Sequence, residues 1–248
     1  MDKEYYDKVG VAQQEKVAMT NDMMSQRNLV RSILGLSSGE SVLDVGSGNG
    51  ILVKEMASDV GIEGEIVGVD PAESMVSMAK YVCPAANFIQ GDAMNLPTED
   101  LYFDAVTASQ VLCFVPNVDT ALSEMYRTLK PGGRLVILDS DWGSLVWTCQ
   151  DRDLLGRSIE DLKRPYSNDR VPRTLSHKLE NAGFSILARQ THTILNWEYS
   201  DDSYSKQCVG FVSNPNDRAK LDSDLSQLSA AGKYMFSMNR YIFYASKK

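Results

Sequence analysis

One stretch constrains this chain more than any other: Ser41-Val42-Leu43-Asp44-Val45-Gly46-Ser47-Gly48-Asn49-Gly50, an apolar strand running straight into three glycines two apart. Glycine lacks a Cβ, so such a backbone turns sharply and lets a ligand approach closely. A helix beginning at Ile51 would aim its free N–H groups at that ligand. The stretch therefore predicts a nucleotide-type cofactor pocket. A dinucleotide fingerprint needs glycines at its first, third and sixth places, and counting from Gly46 the sixth is Ile51, so that fingerprint fails. No Gly-Lys-Ser/Thr follows, which excludes a P-loop.

At 248 residues the chain suits one large domain, or one core domain with an added cap. Its net charge of -8, without basic runs, speaks against nucleic acid as a partner, because such binders need a basic face to displace counterions. Cys83, Cys113, Cys149 and Cys208 form no CxxC pair and no close Cys/His spacing, which argues against a metal site or a disulfide framework and for a reducing compartment. The polar start and the lack of any apolar run near 20 residues predict no signal peptide and no membrane span. The expected location is the cytoplasm.

Residues 1–22 read as a mobile or weakly helical arm. In 23–36, Leu29, Ile33 and Leu36 recur at helical spacing, with Gly35 near the end. After the glycine motif a helix over 51–60 is followed by a strand over 65–69, and Asp70-Pro71 ends that strand and starts a helix carrying Met75, Met78, Ala79 and Val82. A strand over 87–90 stops at Gly91-Asp92, and 103–108 reads as a buried strand. A helix with Ala121, Leu122, Met125 and Leu129 on one face is stopped by Lys130-Pro131-Gly132-Gly133, before a strand over 134–138. Strands alternating with amphipathic helices predict an α/β fold, a mainly parallel sheet with helices on both faces and ligands beyond the strands' carboxyl ends. Thr174 is placed to cap a helix carrying Leu175, Leu179 and Ala182, closed by Gly183. A sixth strand starts at Phe184 and a last one spans 235–245, with 196–233 as an insertion able to lean over the active face.

Asp70, closing the second strand, is placed to accept both ribose hydroxyls, and Asp92, one strand along, to accept from an exocyclic adenine amine. Together they suit an adenosine that carries no phosphate. The motifs Val42–Gly50, Gly68-Val69-Asp70, Gln90-Gly91-Asp92-Ala93-x-x-Leu96-Pro97, Phe103-Asp104 and Leu129–Leu135 resemble those of the class I S-adenosylmethionine-dependent methyltransferases, most closely the ubiquinone/menaquinone branch, over about residues 25–140. The resemblance implies a doubly wound, Rossmann-like sheet of seven strands, mainly parallel with an antiparallel last strand. It also implies one methyltransferase domain over 1–248, with a core of 25–140, 172–195 and 234–248 and cap insertions at 142–170 and 196–233.

By the same resemblance, Gly46, Gly48 and Gly50 line the methionine moiety, Asp44 orients the turn, and Asp70 holds the ribose. Met75 packs on adenine, Asp92 and Ala93 read its edge, Ser109 or Gln110 faces the sulfonium, and Phe114 helps through its ring quadrupole. Asn49 and Pro71 complete the cofactor-binding set. Arg27 either reaches the methionine carboxylate or is an exposed helix charge. The bland readings also stand: Asp44 or Asp70 as a helix cap, Asp92 as a turn residue, Met75 as core.

Methyl transfer is an in-line displacement at carbon that needs alignment more than a covalent catalyst, so no catalytic residue is assigned. His177 reads as a surface residue and His192 as structural. Asp141, Trp142, Trp147 and Arg173 are the substrate-side candidates, facing an apolar or aromatic small molecule. Ser109-Gln110-Val111-Leu112 is not the Asn/Asp-Pro-Pro-Tyr of nucleic-acid amino methyltransferases. Cys149 and Cys208 fall where arsenic methyltransferases place thiols, but in surroundings that do not match. Two other classes compete: a non-catalytic cofactor-binding or scaffold protein, and a nicotinamide oxidoreductase.

Overall fold

The computed structural model describes residues 11–248. Residues 1–10 of the expected arm lie outside the described residues. From residue 11 the arm is helical: α1 (Val11–Ala18) leads through Thr20, whose hydroxyl accepts from Met23 N, into α2 (Asn21–Leu34), which ends at left-handed Gly35. The face that α2 buries is Gln26, Arg27, Val30 and Leu34, while Leu29, Ile33 and Leu36 are only partly covered. The apolar spacing thus marks a helix that is present, with Leu29, Ile33 and Leu36 packed at the edge of its buried face.

The remaining elements are β1 (Ser41–Val45), α3 (Ile51–Val60), β2 (Glu65–Asp70), α4 (Glu73–Val82), β3 (Asn87–Gln90), β4 (Phe103–Ser109), α5 (Val118–Thr128) and β5 (Leu129–Ser140). Then follow β6 (Val146–Trp147), α6 (Arg152–Lys163), α7 (Pro172–Asn181), β7 (Phe184–Asn196), α8 (Tyr204–Val209), α9 (Pro215–Ala230) and β8 (Phe236–Lys247). The sheet order is β3-β2-β1-β4-β5-β8, with β7 on the far edge of β8. β1 through β5 pair in parallel, and β8 is antiparallel to both β5 and β7. β6 is a two-residue strand beyond the expected seven; it extends the β5 edge along β8 after a 3-10 turn at Trp142–Ser144. α7 begins at Pro172, so Thr174 sits inside the first turn and is not its cap.

Alternation along the strands feeds two cores. Val42, Ile66, Ala105, Val136 and Ile242 face α2, α3 and α4 on one side. Leu43, Val67, Val106, Leu135 and Phe243 face α5 and α7 on the other. A third cluster lies beyond the carboxyl ends of the parallel strands, where Trp142, Trp147 and Phe236 pack with α6, α8 and α9. Leu221, Leu225 and Leu228, three and four residues apart, are the buried stripe of α9. Chain from both expected insertions thus stands over the end of the sheet where the glycine motif emerges.

Candidate active site

The glycine turn is held from the neighbouring strand. Gly46 N and Ser47 N donate to Val69 O at 2.7 and 3.0 Å, and Gly48 N donates to Asp70 Oδ2 at 2.9 Å. Asp70 Oδ1 accepts from Ala72 N at 2.9 Å. Asp70, not Asp44, therefore orients the turn. Gly46 has φ +71°, and a Cβ there would lie 2.3 Å from Val111 Cγ2. Gly50 caps α3 at φ +77°, and its Cβ would lie 2.9 Å from Ala79 Cβ. Its role is close packing of α3 on α4, away from the ligand space.

A cavity of about 240 Å³ opens over this turn. Gly46, Gly48, Asn49, Asp44, Asp70 and Met75 line one end, with Arg27 from α2 and Ser109, Gln110 and Phe114 from the β4 end. Trp142, Tyr166, Tyr204, Phe211 and Arg240 line the other. Pro71, Asp92 and Ala93 lie in a smaller adjoining recess that shares Gly46 and Val111 with the cavity. Asp92 Oδ1 also accepts from Met94 N at 2.8 Å, so it holds its own turn. Met75 is buried at the cavity wall. Arg27 is buried too; its Nε donates to Glu55 Oε1 at 3.0 Å and its Nη1 to Ala18 O at 2.6 Å, so it is not an exposed helix charge.

Three substrate-side candidates are not brought to the cavity. Asp141 caps the 3-10 turn by accepting from Gly143 N at 2.9 Å and pairs with Arg173 Nε at 2.9 Å, so each occupies the other. Trp147 Nε1 donates to Tyr234 OH at 3.1 Å, and its indole packs edge-on against Phe236 in the cap core. Only Trp142 of the four lines the cavity. His177 and His192 both lie outside it; burial and the Arg240 charge lower the His192 pKa. Cys208 lines the cavity with its thiol pushed up to about 12, chiefly by burial, whereas Cys149 lies elsewhere. No group of His, Cys, Asp and Glu able to hold a metal occurs among the described residues.

Burial and the neighbouring Asp70 push Asp44 up to about 8. Burial raises Asp70 as well, against the opposing N–H groups of Ala72 and Gly48. Each Asp70 oxygen accepts one backbone N–H and keeps a further lone pair, so the carboxylate can take the two hydroxyls of a ribose. Ser47 Oγ, buried at the cavity wall, has no hydrogen-bond partner among the described residues. The residues present thus fit a phosphate-free adenosine cofactor.

Gln26, Tyr166, Tyr204 and Arg240 were missed from sequence. Arg240 did leave a signal: Phe236, Met238, Arg240 and Ile242 alternate onto one buried face of β8, and a charge in such a series is anomalous. Gln110 has φ +59°, a left-handed backbone uncommon for a side-chain-bearing residue and typical of functional loops.

The glycine turn after β1, the acid closing β2 and the antiparallel β8 beside β5 make up a Rossmann-like fold with a site that fits an adenosine cofactor. The antiparallel strand also departs from the order of a dinucleotide domain, which tells against a nicotinamide oxidoreductase. The family described as "Methyltransferase domain" matches residues 43–137. The chain is 36% identical over 136 residues to the ubiquinone/menaquinone biosynthesis C-methyltransferase of Pseudomonas aeruginosa, covering 50% of this chain and 53% of that one. The match therefore spans about half of the relative's length. Among solved structures, geranyl diphosphate C-methyltransferase from Streptomyces coelicolor aligns over 91% of this chain and 76% of its own, with TM-score 0.61 and 13% identity. The [4+2]-cyclase SpnF aligns over 90% and 80%, with TM-score 0.62 and 23% identity. Residues 43–137 thus match a methyltransferase domain, the chain is similar over about half its length to ubiquinone/menaquinone C-methyltransferases, and these likenesses support S-adenosylmethionine as its cofactor.

Proposed function

We propose that the protein methylates a small molecule with an apolar or aromatic body. The observation that carries this reading is the continuity of one cavity from the glycine turn and Asp70 to the aromatic wall under the cap. When bound, S-adenosylmethionine supplies a methyl group on a sulfonium. Asp70 holds the ribose, Asp92 and Ala93 take the adenine edge, and Met75 packs on the ring. Arg27 is the cation for the methionine carboxylate. Phe114 and Tyr166, with ring centroids 4.8 Å apart, and Trp142, 5.4 Å from Tyr166, form an apolar wall against which an acceptor can lie. Alignment in a water-poor chamber supplies roughly 7–11 kcal/mol of barrier reduction without a covalent intermediate.

No helix among the described residues is long and apolar enough to cross a membrane, and the four cysteines are free; we place the protein in the cytoplasm. The cap, in this reading, is the pair of insertions 142–170 and 196–233. Calorimetry with S-adenosylhomocysteine tests the cofactor assignment: one-to-one binding is expected, weakened roughly 100-fold in Asp70→Ala, which removes a charged acceptor from both ribose and turn. Unchanged binding in that variant would sink it. The alternative reading is a site that holds the cofactor without transferring its methyl group. Transfer of labelled methyl to any component of a metabolite extract excludes that alternative.

A further inference from the structure

Arg240 is 1% exposed, yet no carboxylate pairs with it among the described residues. Its Nε donates to Ser140 Oγ at 3.2 Å, and its Nη1 to Gln26 Oε1 and to Met23 Sδ at 2.9 Å. Its guanidinium lies over the Tyr204 ring, 4.4 Å from the centroid. Every one of these partners is neutral. Asp22, one turn before Gln26 on α2, is held by Asn196 Nδ2 and Tyr204 N, both at 2.9 Å. A guanidinium is charged at every accessible pH, and burying it without a counter-ion is costly.

A second orphan stands on the same cavity. Ser140 Oγ donates to Gln110 Oε1 at 2.7 Å, and the Gln110 amide nitrogen is buried without a hydrogen-bond partner among the described residues. The series from Arg240 through Ser140 to Gln110 thus presents N–H donors at both ends, and both residues line the cavity. Such a donor-rich wall suits an oxygen anion. The cofactor's sulfonium would add a second positive charge to the chamber.

We propose that Arg240 and Gln110 bind an oxyanion, a carboxylate or phosphate, on the acceptor substrate. This rests on the methyltransferase reading above and names the substrate class for the same site. The competing anion is the methionine carboxylate of the cofactor. Arg240 is poorly placed for it: β8 is three strands from β1 in the sheet, roughly 14 Å at ordinary strand spacing, and Arg240 packs on Tyr204 of the cap. Arg27, by contrast, is paired with Glu55 on the helix that follows the glycine turn.

Calorimetry on protein saturated with S-adenosylhomocysteine tests the assignment, using benzoate, phenyl phosphate and neutral benzamide as probes. Wild type is expected to bind one of the two anions at least about 10-fold more tightly than benzamide, and which anion wins separates carboxylate from phosphate. In Arg240→Gln that preference disappears, while affinity for S-adenosylhomocysteine stays within about 2-fold. Arg240→Lys, which keeps the charge but loses the fork, covers the case in which the glutamine variant does not fold, and it should retain only part of the preference. The proposal is overturned if wild type shows no preference for either anion, or if loss of Arg240 weakens S-adenosylhomocysteine as much as the anions. Failure of wild type to bind S-adenosylhomocysteine at all is a different result, which removes the methyltransferase reading itself.

Discussion

At the amino ends of the parallel strands the charged side chains are paired off; at the carboxyl ends a set of buried polar and charged groups is left open. Before β1, Glu40 takes both terminal nitrogens of Arg134, at 3.0 and 2.7 Å, and at the start of β4 Asp104 takes Lys130 Nζ and Ser41 N. Burial alone would raise Glu40 and Asp104, but these partners outweigh it and hold both below the ordinary carboxylate range. At the other end Asp44 and Asp70 are raised, Arg240 has no counter-ion among the described residues, and Ser47, Ser109 and Gln110 keep unpartnered buried atoms. One sheet thus carries a finished end and an unfinished one. Polar groups that a stable protein would satisfy are held open where a ligand completes them.

This contrast also divides the resemblance drawn from sequence. Phe103-Asp104 and Lys130–Arg134 match methyltransferase motifs, yet the structure places their charges at the closed end. They brace the sheet and do not reach the cofactor.

The largest effect is expected where the open end tolerates no side chain. Gly46→Ala forces an alanine into a left-handed backbone and drives its Cβ into Val111, so S-adenosylhomocysteine affinity measured by calorimetry should fall roughly 100-fold or more. Adding Val111→Ala relieves the clash but not the backbone strain, and should restore only part of the loss.

An intermediate effect is expected in the pH dependence of stability. Asp44 has a folded pKa near 8, above its unfolded value, so its contribution is present at low pH and is lost as pH rises toward 8. Asp44→Asn cannot ionise, and its melting temperature should decline less than that of wild type over that window. Glu40 and Asp104 have lowered pKa values, so their contribution is present above the unfolded value and is lost in acid. Equal slopes for wild type and Asp44→Asn would remove the contrast between the two ends.

The smallest effect belongs to the closed end. Glu40→Gln should cost about 1–2 kcal/mol in urea unfolding, because it weakens a two-point contact with Arg134, and should leave S-adenosylhomocysteine affinity unchanged. A loss of affinity would show that the two ends are coupled through the sheet.

Much of the site was legible because it is local. The left-handed turn at Gly46, Gly48 and Gly50 needs glycine whatever surrounds it, and an acid at the end of the next parallel strand lies beside that turn by register, with Asp44 opposite Gly68 and Val45 opposite Val69. Substrate-side residues were less legible. Asp141 and Arg173 had promising addresses but satisfy one another, which depends on α7 packing beside the strand end. Trp147 turns into the cap core for lack of any local signal that would direct it.

Sequence by itself pointed to a phosphate-free adenosine cofactor and to the parallel half of the sheet, because glycine turns and apolar strands are properties of short stretches. Only the tertiary structure decided what meets the cofactor. Gln26, Ser140, Tyr204 and Arg240 come from four separate elements and Gln110 from the loop after β4, and their hydrogen bonds and ring contact span up to 214 positions. No spacing rule encodes such a cluster, because its members are selected by how β8 inserts beside β5 and by how the cap helices close over both.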